Sequence, residues 1–400
     1  MTFPSLSALS EAAWLTGDRA LGLARLLALI LVCGALGAGL LIFLSYTADK
    51  PMALDFDAFW AAGRLAAGGH AALAYDNAAI EATERAATSM APGYLAFYYP
   101  PSFLLLCVPL GLLGFTAALC VFLAAEMAVL LGGLHRILPQ RWAWLPLLSF
   151  PGFIMNALSG QNAPLTAACF CGAALWLTSR PILAGVCLGG LVCKPQLAVC
   201  VPVALLAARR IRVVVACGAT ALGLCALSWF AFGTAVWRGF LANAPNARAD
   251  IETIAIKWPK LQSAFGTVRL AGGGNAPAYA LQAAVSTFAI LVLATAAWRR
   301  PGARLEAGLM VCAALLFTPF LYDYDLAILA VPMACLMAEA LRAGWRNWEK
   351  TALLATYLLP LAARASGMGL GIIIGPPFMA ALLLLLARRA RRPAPAAHAA

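Results

Sequence analysis

The chain has 400 residues, of which 63% are hydrophobic and 11% charged, and its 28 lysines and arginines against 16 acids give a net charge of +12. Soluble domains carry about 25% charged residues, so the composition excludes a soluble globular protein and identifies an integral membrane protein. The positive charge does not point to a nucleic-acid partner, because the arginines stand at the ends of apolar runs, where positive-inside anchoring accounts for them.

Residues 1–21 are mixed and are expected at the cytoplasmic face. Arg19 and Arg25 flank the start of an apolar run over 26–44, close to the ~20 residues that span a bilayer. A signal peptide is the competing reading, and it fails because many further runs follow. Residues 45–100 then form a long loop, polar by the standards of this chain. Its first part is helix-compatible, with Gly68 and Gly69 as a stop, and a second helical piece near 77–89 carries Glu81, Glu84 and Arg85. The segment LAFYYPPSF follows, with interfacial aromatic residues and two prolines that open a helix without losing a needed donor.

The stretch 102–138 is too long for one crossing and turns near 111–114, which predicts two helices, with Arg136 and Arg141 at the end. Residues 143–158 contain Pro146, Pro151 and Gly152 and predict a short, broken crossing that ends in SGQN, 159–162. Such breaks at membrane depth are tolerated only against protein or a water-filled cavity. Spans over 163–179, 182–207 and 213–232 lead, past Arg209, Arg210 and Arg212, to a second long loop over 233–274. Spans over 276–297, 304–321, 324–341, 351–363 and 368–387 follow, and the tail 388–400 is expected to be disordered and cytoplasmic.

The fold class is therefore all-α and polytopic, with about twelve transmembrane helices in one membrane domain over 22–387. With the N-terminus inside, most basic clusters fall on the cytoplasmic side and both long loops face outward; Arg136, Arg141 and Arg180 are exceptions. No internal repeat is visible, and Gly185-x-x-x-Gly189 predicts close helix packing. The twelve cysteines include no C-x-x-C pair and fall in apolar runs, which reads as small buried hydrophobes. His70, His135 and His398 are scattered, so neither a histidine metal site nor a cofactor is expected.

The polar residues of chemical interest begin with Asp55 and Asp57 in DFDAFWAAGR. Positions two apart on a helix point about 200° from one another, so Asp55 shares a face with Phe59 and Asp57 with Arg64. One carboxylate is then free to act as a general base, while a helix-capping role for Asp55 is an equal alternative. D-x-D also suits a divalent cation on a sugar diphosphate, but an outward-facing loop argues against it. Lys194, in CKPQ, lies inside a span, where a charge costs about 2.5–3.5 kcal/mol; it serves either a phosphate or a structural partner. Its depth is a difficulty, since about thirteen residues, or some 20 Å of helix, separate it from the outer end. Gln161 with Asn162 is either a site element or a plain turn, and the Tyr322, Asp323, Tyr324, Asp325 run either lines an outer cavity or caps a helix.

DFDAFWAAGRLAAGG closed by AYD, then FYYPPSFLLLCVPLGLL, LSGQN, AGVCLGGLVCKPQ and TPFLYDYDLAIL resemble, in that order, the pattern of glycosyltransferase family 87. That family includes polyprenol-phosphate-mannose-dependent alpha-mannosyltransferases, and its design is similar to that of the wider GT-C class. The resemblance covers roughly residues 22–340. It implies an inverting transfer of a hexose, of mannose type, from a polyprenyl-phosphate donor to a hydroxyl of a lipid or glycan acceptor, at the outer face of the plasma membrane and without a metal. It maps the catalytic aspartate to Asp55 and the motif aromatic to Phe59. Asp57, Arg64, Tyr99, Gln161, Lys194, Lys257, Lys260, Arg269, Tyr322 and Asp323 are the expected substrate-binding residues. A polytopic transporter of small solutes or lipids is the alternative, though transporters show paired repeats that are not seen here.

Overall fold

Apolar runs broken by proline and glycine produce an all-helical protein assembled from long and short pieces. The computed structural model describes residues 6–45, 54–88 and 95–391. In chain order its helices are α1 (Leu6–Glu11), α2 (Gly17–Ser45), α3 (Phe56–Ala67), α4 (Asn77–Ala87), α5 (Pro101–Gly111), α6 (Phe115–Ile137), α7 (Trp144–Leu148), α8 (Pro151–Ser159), α9 (Ala163–Trp176) and α10 (Pro181–Gly189). There follow α11 (Pro195–Ala198), α12 (Cys200–Ala207), α13 (Ile211–Phe232), α14 (Thr234–Thr253), α15 (Ala264–Leu270), α16 (Asn275–Ala297), α17 (Ala303–Phe317), α18 (Ala330–Ala343), α19 (Glu349–Ala365) and α20 (Gly375–Ala390). Among the described residues there is no strand, only a single bridge between Leu261 and Tyr322.

Five segments among the described residues are long and apolar enough to cross a membrane: Phe115–Ile137, Ile211–Phe232, Asn275–Ala297, Asp323–Ala343 and Glu349–Leu370. Four shorter apolar stretches, Pro101–Gly111, Ala163–Trp176, Pro181–Cys193 and Pro195–Ala207, accompany them. The protein is thus a helical membrane protein. At its centre stands α17, buried from Leu305 to Leu316 and packed on all sides by α9, α16, α18 and α20. A helix that is apolar all round belongs there. In contrast, α13 leaves Val215, Leu222 and Phe230 exposed, as a helix facing lipid does.

The two helices expected over 102–138 are present as α5 and α6, with the turn where it was expected, but α5 has only 11 residues and turns back into α6. Helix α5 starts beside Phe59, through Phe103, and runs alongside α3 until Gly111 meets Gly63; α6 then returns past Phe59 with Phe122. Likewise, the expected span over 182–207 does not run straight. Helix α10 climbs along α13, with Gly185 against Val213 and Gly189 against Cys217 and Thr220. Its chain ends in the 3₁₀ turn Gly190–Cys193, leaves helical geometry at Lys194 (φ −137°, ψ 68°) and restarts at Pro195. Helices α11 and α12 then lead back to the start of α13. Proline at the first helical position permits this break, because the N–H it lacks has no partner there. Lys194 therefore sits at an apex rather than thirteen residues inside a continuous helix.

These hairpins also place the exceptional arginines. Arg180, at the foot of α10, lies at the same end as Arg209 to Arg212, and the turn after Arg136 abuts the α18–α19 end, where Leu138 and Trp142 line a hollow with Met337 and Leu353. The remaining clusters are tied together at this end by Arg210–Glu306 at 2.6 Å, Arg304–Glu339 at 3.5 Å and the buried Arg389–Glu349 pair. Helix α1 rests there too, on Trp348 and Thr351. One end is thus basic and the other carries the acids and aromatic residues discussed below. Helix α20 extends to Ala390, so Arg388 and Arg389 belong to the bundle; the tail beyond 391 lies outside the described residues.

The Gly185 and Gly189 stripe packs as expected. A Cβ on Gly189 would stand 2.6 Å from the Cys217 carbonyl oxygen. Gly189→Leu is therefore expected to push α10 off α13 and lower stability by about 1–3 kcal/mol, the usual cost of overpacking, seen as a lower unfolding temperature in detergent.

Candidate active site

The acidic end is organised by the start of α3. Asp55 precedes the helix, and its backbone N–H is held by the Ser159 carbonyl at 3.0 Å. Its side chain does not cap α3. Instead Asp55 Oδ2 accepts a hydrogen bond from Gln161 Nε2 at 3.1 Å, and the residue as a whole remains partly exposed. Gln161 reaches it because Gly160 adopts a left-handed turn (φ +67°) pressed against Phe56, where a Cβ would lie 2.7 Å from that of Phe56.

Burial raises the Asp55 carboxyl above the usual range; the Gln161 bond and the charges of Lys260 and Lys257 oppose this, and Asp323 adds to it. Gln161 is in hydrogen-bond contact with Asp55, and Lys257, Lys260 and Asp323 lie within electrostatic reach of it. Lys257 and Lys260 arrive on the 3₁₀ turn Ala255–Lys260, and Asp323 begins the turn Asp323–Leu329. The two turns are joined where Gln262 N–H donates to the Leu321 carbonyl at 2.7 Å. The second long loop, mostly helical through α14 and α15, also packs against the first, where Gly239 and Phe240 meet Tyr75.

A continuous polar chain runs inward from Asp55. Tyr99 Oη donates to Gln161 Oε1 at 3.0 Å and lies 3.3 Å from Asn162 Oδ1, which in turn accepts from Lys194 Nζ at 3.2 Å. Lys194 pairs with Asp325 Oδ1 at 2.6 Å and lies 5.8 Å from the centre of the Tyr324 ring. Both members of this pair are buried. Asp325 is held on its other oxygen by the Tyr322 N–H at 3.3 Å, and Tyr322 stacks on Tyr324.

The structure therefore brings together Asp55, Tyr99, Gln161, Lys194, Lys257, Lys260, Tyr322 and Asp323. It places the other expected residues elsewhere. Asp57 is 1% exposed and turned away, as helical geometry required: Oδ1 accepts from the Leu54 N–H at 3.2 Å and Oδ2 from Thr88 Oγ1 at 2.6 Å. Phe59 lies inside a cluster with Phe56, Tyr99, Phe103 and Phe122. Arg64 is nine residues along from Asp55, roughly 13 Å at helical rise, and donates to the Gly111 carbonyl at 3.2 Å. Arg269 stacks 4.2 Å from Trp258 and donates to the Glu252 and Gly273 carbonyls, which braces the second loop. Lys257 is paired with Asp250, and Asp323 is gripped by both Arg364 nitrogens, at 2.6 and 3.0 Å.

Sequence reasoning offered Asn162 and Asp325 only as parts of the 161–162 turn and the 322–325 run, each with a structural alternative, and did not raise Arg364. A lysine buried in an apolar run demands an acid, and the four-residue YDYD run is the place to look for one.

Burial pushes the Asp57 carboxyl up to about 6 against the opposing Thr88 and Leu54 hydrogen bonds. Because the folded protein holds this proton more tightly than an unfolded chain with a carboxyl near 3.9, wild-type stability falls as pH rises from about 4 to 6 and stays reduced above that. In Asp57→Asn, Oδ1 can still accept from Leu54 while Nδ2 donates to Thr88, which keeps its bond to the Glu84 carbonyl at 3.1 Å. The variant is expected to gain on the order of 2–3 kcal/mol over wild type at pH 7.5 and little at pH 4. Thermal unfolding in detergent at both pH values checks this, and a less stable variant at pH 7.5 contradicts it.

No curated protein and no solved structure matches the chain. The sequence model of glycosyltransferase family 87 does match, over residues 97–319, more than half of the chain. The match takes in Tyr99, Gln161, Lys194 and the second loop, and leaves Asp55 and Asp325 on either side of it. With an all-helical membrane fold and a carboxylate and lysines gathered at one end, the chain belongs to glycosyltransferase family 87.

Proposed function

We propose that this membrane glycosyltransferase moves a hexose, of mannose type, from a polyprenyl-phosphate donor to an acceptor hydroxyl on the outer face of the plasma membrane, with inversion and with Asp55 as general base. The observation that carries the reading is Asp55: a partly exposed residue whose carboxylate is oriented by Gln161 and lies within electrostatic reach of the lysines of the second loop. The residues 22–387 act as one membrane domain, with the basic end in the cytoplasm.

In the proposed reaction the acceptor hydroxyl gives its proton to Asp55 as its oxygen bonds to the anomeric carbon. The bond from that carbon to the phosphate oxygen breaks at the same time, its electron pair leaving with the lipid phosphate. A single displacement from the face opposite the leaving group inverts the anomeric centre. Lys260, which is exposed, and Lys257, once drawn from Asp250, supply positive charge for the departing phosphate. A phosphate monoester is a good leaving group, so the base and these cations suffice in this scheme.

The test is reconstitution in liposomes with a labelled polyprenyl-phosphate hexose and candidate acceptors. Transfer to acceptor with inverted anomeric configuration is expected. Retained configuration removes the single-displacement scheme, and movement of a solute with no donor consumed favours a transporter.

A further inference from the structure

Glu126 sits within α6, an apolar helix of 23 residues, and is 4% exposed. A carboxyl in such a place is costly and calls for a role. The chemistry above does not use it, and among the described residues it forms no ion pair. Its Oε1 accepts a hydrogen bond from Asn156 Nδ2 at 3.1 Å, Oε2 makes none among the described residues, and the Leu165 backbone N–H and the Lys194 charge also act on the carboxyl.

Asn156 is fully buried and spends the rest of its side chain on one turn. Nδ2 also donates to the Gln161 carbonyl at 2.7 Å, and Oδ1 accepts from the Ala163 N–H at 3.1 Å. It thus clasps the chain on both sides of Asn162. From this turn Gln161 reaches Asp55 and Asn162 reaches Lys194. The orientation of the Asn156 amide decides whether the clasp closes, for a flipped amide would set N–H against N–H at Ala163. Glu126 Oε1, turned toward Asn156 Nδ2, favours the amide orientation that closes the clasp.

Resting on the proposed role of Asp55, we propose that Glu126 and Asn156 are positioning residues: they lock the turn at 160–163 so that Gln161 orients the Asp55 carboxylate. Glu126 contacts no substrate and acts only through Asn156 and Gln161. Lys257, Lys260 and Asp323 also act on the Asp55 charge, as Asp55 acts on Asp57, and none of these four is among the groups that act on Glu126.

The experiment uses full-length protein in nanodiscs, with Glu126→Gln and Glu126→Leu compared with wild type in two ways. One is kcat and KM for sugar transfer; the other, independent of turnover, is the pH midpoint for carbodiimide labelling of Asp55, read by peptide mass spectrometry. Glutamine keeps the acceptor oxygen, so Glu126→Gln is expected to behave like wild type in both. In Glu126→Leu, kcat should fall about 10–100-fold through misplacement, with little change in KM. The Asp55 midpoint should move up by about half a pH unit or more, because a lost hydrogen bond to the carboxylate favours its protonated form. A folded Glu126→Leu with an unmoved midpoint overturns the proposal, as does a Glu126→Gln that shifts as much as leucine. Should the leucine variant fail to fold, Asn156→Ala carries the same expectations. If wild type transfers no sugar, the functional reading falls, while the labelling midpoints still decide the positioning.

Discussion

Asp55→Asn is expected to slow sugar transfer by about 10²–10⁴-fold, the range a positioned general base contributes. Asparagine can still accept the Gln161 hydrogen bond through its oxygen, and the backbone bond from position 55 to Ser159 does not involve the side chain. The fold and the donor KM should therefore change little, so the loss appears in kcat. Retained activity in a well-folded variant would remove Asp55 from the chemistry. A pH profile sharpens the test. The base works when ionised, so the wild-type rate falls as pH drops through an Asp55 pKa that burial holds above the ordinary carboxylate value. Lysine charge opposes that rise, and Lys260→Ala should therefore move the acid limb to higher pH.

Lys194→Met is expected to cost about 3–5 kcal/mol of stability, because it strands the Asp325 carboxylate among buried groups. Asp325→Leu strands the lysine and should cost a similar amount. The double variant removes both charges and is expected to recover most of the loss, as replacements of buried pairs by apolar residues often do. Activity then separates two roles for Lys194. If the double variant folds and transfers sugar at the wild-type rate, the pair is structural; if it folds but stays inactive, Lys194 serves the donor phosphate or the orientation of Asn162. Unfolding temperatures and transfer rates on the same preparations provide both readings.

Several features of this arrangement were legible in the amino-acid order and others were not. Composition alone gave a helical membrane protein, and a two-residue spacing separated Asp55 from Asp57, which the structure sends to Gln161 and Thr88 respectively. The capping role offered to Asp55 fails, since its carboxylate bonds to a distant turn; the Leu54 N–H is taken by Asp57 instead. Hydropathy could not distinguish a crossing from a hairpin, because α5 and α10 to α12 are as apolar as true spans. The misfit lay in Arg136, Arg141 and Arg180, whose placement against the charge rule was the sign that helices had been counted as crossings that turn back. Partners such as Arg364 for Asp323 or Asn156 for Glu126 lie 41 and 30 residues apart in the chain and leave no local trace.

The polar chain from Asp55 to Lys194 has one further property. Its middle links are the Tyr99 hydroxyl and, on either side of it, the side-chain amides of Gln161 and Asn162, and the Gln161 amide next to Asp55 holds hydrogen bonds but does not exchange its protons in the way an acid or imidazole does. The line that orients the carboxylate is an insulator. Along this line a proton collected at Asp55 is not passed to Asp325 and returns to water on the side from which the acceptor came. Turnover would then respond to the acidity of that compartment alone and would be indifferent to the proton gradient across the membrane.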